Sequence, residues 1–166
     1  AGLFSQLLLH FTDVYYVDLI PNVDTTNTNA ATNPTYSVDE DDTNGTVLDA
    51  NGEIAAYEIP PNFGNRSWAS GFDLKLKYWV DRAGYVDDNC SLQVLNANGT
   101  TLQAFTAIGT FGSMVSLDLD ALGTITGDYT NLNIQFKFVR GGAGDETTFT
   151  IRSVFLEITE RAEAPD

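Results

Sequence analysis

Apolar residues fall at every second position through two long stretches of the chain. Phe72, Leu74, Leu76, Tyr78 and Val80 alternate with Asp73, Lys75, Lys77 and Trp79. Leu132, Ile134, Phe136 and Phe138 alternate with Asn131, Asn133, Gln135 and Lys137. Side chains along a strand point to opposite faces in turn, so each stretch buries one face and wets the other. The period predicts strands over residues 72–80, 90–96, 101–108, 114–119, 131–139 and 147–158. In the last of these, Phe149 and Ile151 share one parity while Val154, Leu156 and Ile158 share the other. A bulge near Arg152-Ser153 keeps both sets inward. Asn96-Ala97-Asn98-Gly99 predicts a hairpin turn, and Gly141-Gly142-Ala143-Gly144-Asp145 predicts a final hairpin loop. The fold class is therefore all-β: an antiparallel β-sandwich, jelly-roll-like, with an N-terminal arm.

The first third of the chain breaks the pattern. Leu3, Phe4, Leu7, Leu8 and Phe11 fit one face of a short helix, whereas Val14 to Ile20 is β-branched and aromatic and suits a strand that Pro21 ends. A segment this apolar must pack somewhere. Two outcomes stay open: a first strand of the sandwich, or an arm that docks on a neighbouring subunit through Leu3, Phe4, Leu7, Leu8, Phe11, Tyr15 and Tyr16. Residues 22–53 are rich in Asn, Thr, Asp, Ala and Gly and read as a long loop, with short strands near Tyr36–Val38 and Thr46–Leu48. A short strand follows over residues 54–59, stopped by Pro60-Pro61. The resulting organisation is an arm and loop over residues 1–34, a β-sandwich over 35–160 and a tail over 161–166.

Charge narrows the range of partners. The chain of 166 residues carries 23 acids against 8 bases, a formal net charge of −15. Such a chain repels phosphate backbones and anionic membranes, so neither nucleic acid nor membrane is expected as a partner. The imbalance is concentrated, because residues 1–65 contain no Lys or Arg.

Reactive chemistry is sparse. His10 is the sole histidine and Cys90 the sole cysteine, so no intrachain disulfide forms and the usual His and Cys ligands of a metal cluster are nearly absent. Cys90 opens a predicted strand, the setting of an ordinary buried thiol. His10 lies in the apolar arm, a poor place for a solvent-facing general base. Asp39, Asp41 and Asp42 form an acidic run before Asn44-Gly45 that offers oxygens to calcium, yet the run lacks EF-hand register and reads equally as a solvated loop. Asp87-Asp88-Asn89 is a second such run, better suited to capping a turn. Trp68, Trp79, Tyr85 and Tyr129 are candidates for a sugar-stacking platform or a subunit contact, with Trp79 on the polar face of its strand. No enzyme activity and no cofactor are expected.

Two groups of residues carry a family resemblance. Val38-Asp39-Glu40 with its acidic loop, the Pro-bounded short strand and Phe72 to Val80 form the first. Ser91 to Leu102, Tyr129 to Phe136 and Ile151 to Ile158 form the second. Their order over residues 35–158 resembles β-sandwich virion proteins of tailed bacteriophages. The resemblance implies a capsid decoration protein, made in the host cytoplasm and placed on the outer capsid surface. Its implied partners are the major capsid protein and other copies of itself, as a homo-oligomer with a trimer favoured. The alternative is a carbohydrate-binding or receptor-binding module, because lectins and capsid proteins share the jelly-roll architecture.

Overall fold

The computed structural model describes residues 12–21, 44–59, 72–96, 99–123, 132–142 and 146–161. They form ten strands: β1 (Thr12–Asp18), β2 (Ile20–Pro21), β3 (Thr46–Leu48), β4 (Ile54–Glu58), β5 (Phe72–Ala83), β6 (Asn89–Leu95), β7 (Thr101–Ala107), β8 (Met114–Asp118), β9 (Asn133–Val139) and β10 (Thr148–Arg161), with a single 3-10 turn at Asp120–Leu122. All pairings are antiparallel. One sheet runs β1-β10-β5-β8, with β3 also on β10, and the other runs β2-β4-β9-β6-β7.

From β3 onward the order is 3-10-5-8 over 4-9-6-7, and each link except β6–β7 crosses between sheets. That is the jelly roll, in which two Greek keys wrap around one core. Long central strands β5 and β10 pair over nearly their whole length and set the axis of the first sheet.

The alternating pattern works as the physics of the pleat requires. Leu74, Leu76, Tyr78 and Val80 of β5 are buried, as are Ile134, Phe136 and Phe138 of β9, while their odd neighbours lie partly in solvent. Phe136 bridges the layers, meeting Tyr78 edge-on at 5.4 Å and Tyr57 at 6.1 Å between ring centres. Phe138 meets Phe149 at 5.1 Å, and Phe149 stacks on Phe111 at 5.7 Å. Offset and edge-on rings of this kind add to the stabilisation from burial alone.

The expected bulge in β10 is present. Ile151 pairs with Val80 and Ser153 with Trp79, so Arg152 is the extra residue. The shift lets Phe149 and Ile151, then Val154, Leu156 and Ile158, all enter the core. It also puts the Arg152 guanidinium beside Asp81, at 2.8 Å from Nε to Oδ2.

One expectation is corrected and one open alternative is resolved for part of its segment. The Gly141–Asp145 segment is not a hairpin loop, because β9 and β10 lie in different sheets and the connection crosses the sandwich. Alternation reports which face a side chain takes and is silent on which strand lies alongside. Residues 12–21, assigned to the arm, are strands of the sandwich itself. Thr12–Asp18 pairs with β10 and Ile20–Pro21 with β4, and Val17 and Leu19 enter the core where the chain passes from one sheet to the other. The first of the two outcomes left open for this segment thus holds for residues 12–21. The Asn96–Gly99 hairpin stands: the Gly99 N–H donates to the Asn96 carbonyl at 2.8 Å, and Gly99 takes φ of 81°, which a glycine adopts without a Cβ clash.

Candidate interaction surfaces

Three parts of the surface stand out, two of which include residues that the sequence marks out. The first is the outer face of the β1-β10-β5-β8 sheet. Register sets Tyr16 opposite Glu157, Phe155 opposite Lys77, and Trp79 between Ser153 and Met114. Tyr16 is 67% exposed and packs edge-on against Phe155 at 5.9 Å. Val14 and Met114 are exposed on the same face. The result is a diagonal apolar belt from Val14 and Tyr16 through Phe155 to Trp79 and Met114, with Lys75, Lys77 and Glu157 set into it.

Trp79 is fixed in this belt. Its indole Nε1–H donates to Asp81 Oδ1 at 2.7 Å, and the other carboxylate oxygen accepts from Arg152. Partial burial works against the Asp81 charge, but these two donors win and hold its carboxyl below the usual range. The Lys77–Glu157 contact at 3.6 Å is a surface pair of small worth.

The second surface is the end of the sandwich where the β3–β4, β5–β6, β7–β8 and β9–β10 connections meet. They are tied to one another. The Arg140 N–H donates to Asn51 Oδ1 at 2.9 Å, and the Tyr85 N–H to Thr147 Oγ1 at 2.9 Å. Asp88 is fully buried and accepts from the Gly141 N–H at 2.7 Å. The Thr147 hydroxyl, the Gly141 and Gly142 amides and the Arg140 charge hold the Asp88 carboxyl below its ordinary range. Gly141 is needed there because a Cβ would collide with the Asp87 carbonyl. Asp88 therefore clamps two connections together, a long-range role in place of the local turn cap expected of its run. Arg82 lies over the Phe111 ring at 4.5 Å at the same end, and Tyr85 and Val86 project from it, 53% and 78% exposed.

The third surface is the side formed by β7 and β8, the outermost strands of the two sheets. Ala104, Thr106 and Ala107 are exposed on β7, and Met114 and Ser116 on β8, with Leu102, Val115 and Leu117 only partly buried behind them.

The predicted site residues are dispersed. Tyr15 and Tyr16 lie in β1, 40% and 67% exposed. Leu3, Phe4, Leu7, Leu8, Phe11, His10, Asp39, Asp41, Asp42, Trp68 and Tyr129 fall outside the described residues. Trp79 lies on the outer face of β5, whereas Tyr85 lies past the end of β5, beyond a bend at Gly84, in the β5–β6 connection. Cys90 is buried and its thiol is pushed up to about 12 by desolvation, which leaves it inert. Among the described residues, no three His, Cys, Asp or Glu side chains gather as metal ligands. Phe155, Met114 and the Asp81–Arg152 pair were not singled out by sequence, although the outward parity of Phe155 follows from the bulge.

Strand order and the filled core define the class, an antiparallel jelly-roll β-sandwich. No family model matches the chain, and no curated protein matches it. Solved structures of infectious bursal disease virus do match. The Gt strain structure is 13% identical with a TM-score of 0.41, and the Gx strain structure is 12% identical with a TM-score of 0.33. Each match covers 90% of this chain and 32% of the other, so the chain spans about a third of the length of the structures it matches. These findings correct the tailed-bacteriophage resemblance: the matching structures named are from a different virus, and the motifs that carried the resemblance are strand and turn patterns common to jelly rolls.

Proposed function

We propose that this chain is a structural protein of a virus particle, a jelly-roll unit that works by contact with other proteins and performs no chemistry. The observation that carries the reading is the way the sandwich uses its side chains. Among the described residues, both inner faces are filled by the chain's own aromatic and aliphatic groups, and several of the polar side chains hold the fold. Asp88 clamps loops, Asp81 fixes Trp79 and Arg152, and the Leu74 N–H is capped by Asp120 at 2.8 Å. Jelly rolls serve in capsids, in lectins and in metal-dependent cupins. A cupin requires a cluster of ligands inside the barrel, and a lectin requires an open aromatic platform. The half-buried, hydrogen-bonded Trp79 and the separate Tyr85 supply no such platform.

Contact is what the outer surface offers. The belt on the first sheet and the apolar residues at the loop end are the groups that protein interfaces enrich. A small contact repeated across a lattice becomes strong in sum, so no single patch need be large.

The test is fractionation of virus particles from the source of the gene, on a density gradient, with an antibody raised against the full chain. The chain is expected to sediment with intact particles and to stay with them through a high-salt wash. Recovery of the chain solely in the soluble fraction, with particles free of it, would overturn the reading.

A further inference from the structure

The 19% of charged residues in this chain are not spread evenly. Between Asp88 and Asp118 the sequence contains no Asp, Glu, Lys, Arg or His. That stretch comprises β6, β7 and nearly all of β8, together with their connections. Strand order puts β7 at one edge of its sheet and β8 at the edge of the other, joined by residues 108–113, so the two edges share one side of the sandwich. Among the described residues, the β7 and β8 strands of a molecule with a net charge of −15 thus carry one charge of their own, Asp118 at the end of β8, and Lys137 of β9 reaches over the Phe105 ring of β7 at 5.3 Å. The opposite side carries β1, β2 and β3, with Asp13 and Asp18 in β1, Asp49 directly after β3 and no base among these strands.

From this distribution we infer that the β7–β8 side is the contact surface for a second copy of this chain. The inference rests on the structural role proposed above and names one of its partners. Two acidic copies repel across any charged surface. Placed β7–β8 side to β7–β8 side, they bring the charge-poor strands together and keep β1, with Asp13 and Asp18, on the far side of each copy. A basic partner would instead be drawn to the acids carried elsewhere on the chain, so the charge-poor strands favour a partner that is itself acidic.

The edges themselves fit that role. Exposed strand edges are commonly guarded by charge or proline, because their free N–H and C=O groups pair with other strands. Neither guard is present in β7, Thr101–Ala107, and β8 has Asp118 alone at its end. β7 is shielded only by register shifts against β6, whereas β8 pairs with β5 without a break and leaves a regular edge. Seven strand residues span about 23 Å, and two stacked sheets about 20 Å with their side chains, so the side offers about 450 Å² per partner. The total of about 900 Å² lies in the weak, transient class, and the self-association constant is expected in the high-micromolar range.

The experiment is sedimentation equilibrium of the purified full chain up to about 1 mM, at low and at 0.5 M salt, alongside Ala104→Lys, Met114→Lys and Val86→Lys variants. Each Lys lowers the net negative charge, so it favours association through any contact other than the proposed one. The wild type is expected to form dimers, more so in high salt. Ala104→Lys and Met114→Lys are expected to weaken the dimer about 100-fold by setting like charges face to face, and Val86→Lys at the loop tip to leave it intact or strengthen it. Circular dichroism of each variant separates lost folding from lost contact. A wild type that stays monomeric at 1 mM, or a dimer indifferent to both edge substitutions, overturns the inference. Neither result depends on particles, so it leaves the gradient test of the structural role standing.

Discussion

Phe136 and Phe155 are the same residue type on adjacent layers of the fold, and replacing each with Ala separates inner from outer face. Phe136 is fully buried, held between Tyr57 and Tyr78 at ring distances of 6.1 and 5.4 Å. Truncating a buried Phe costs about 3–5 kcal/mol, and loss of two edge-on ring pairs pushes the value toward the upper end. Phe155 touches one ring, Tyr16 at 5.9 Å, on a half-exposed face, so its truncation costs about 1 kcal/mol. Urea unfolding followed by far-ultraviolet circular dichroism measures both. With a slope of about 2 kcal/mol per molar urea, Phe136→Ala moves the midpoint down by about 2 M and Phe155→Ala by about 0.5 M. In thermal terms the gap between the two variants is about 10 °C. Equal losses would refute the placement of Phe155 outside, and with it the β10 bulge that sets its parity.

Three further outcomes follow from the polar groups. Asp88→Asn lowers the melting temperature at pH 7, because a carboxylate held below its ordinary range contributes stability above the unfolded value near pH 4. That contribution is lost as pH falls through the lowered folded value, so thermal scans across pH 7 to 2 are expected to show variant and wild type converging in acid; a constant gap would contradict the clamp. A double-mutant cycle of Asp81→Asn and Arg152→Met is expected to give a coupling below about 1 kcal/mol, since both side chains are about a third exposed, while Trp79 fluorescence shifts as its partner changes. Cys90, buried with its thiol raised to about 12, is expected to resist thiol reagents at pH 8 in the native protein and to react fully in denaturant; fast native labelling would contradict its placement in the core.

Much of the fold was legible because the period of two is a local property. β5, β9 and the β10 bulge follow from parity alone, and β3 at Thr46–Leu48 follows from a short β-branched run between turn residues. Pairing partners were not legible. Nothing in Gly141–Asp145 distinguishes a hairpin from a crossing between sheets, since both need a flexible polar link. Val14–Ile20 was legible as a strand, yet its place along β10 depends on the far end of the sequence. The interaction surfaces were harder still. Tyr16, Phe155, Trp79 and Met114 come from four strands, and only the register brings them to one face. The charge-poor side has a different signal, an interval free of charge, whose meaning emerges once β7 and β8 are known to be edges.

The most direct measurement for the account as a whole is a cryo-electron microscopy reconstruction of intact particles at a resolution that separates the two sheets. The account predicts sandwich-shaped density at many symmetry-related positions, each in contact with other protein and none enclosing a ligand. A particle without that density, joined to isolation of the chain as a free monomer carrying a bound small molecule, would contradict it.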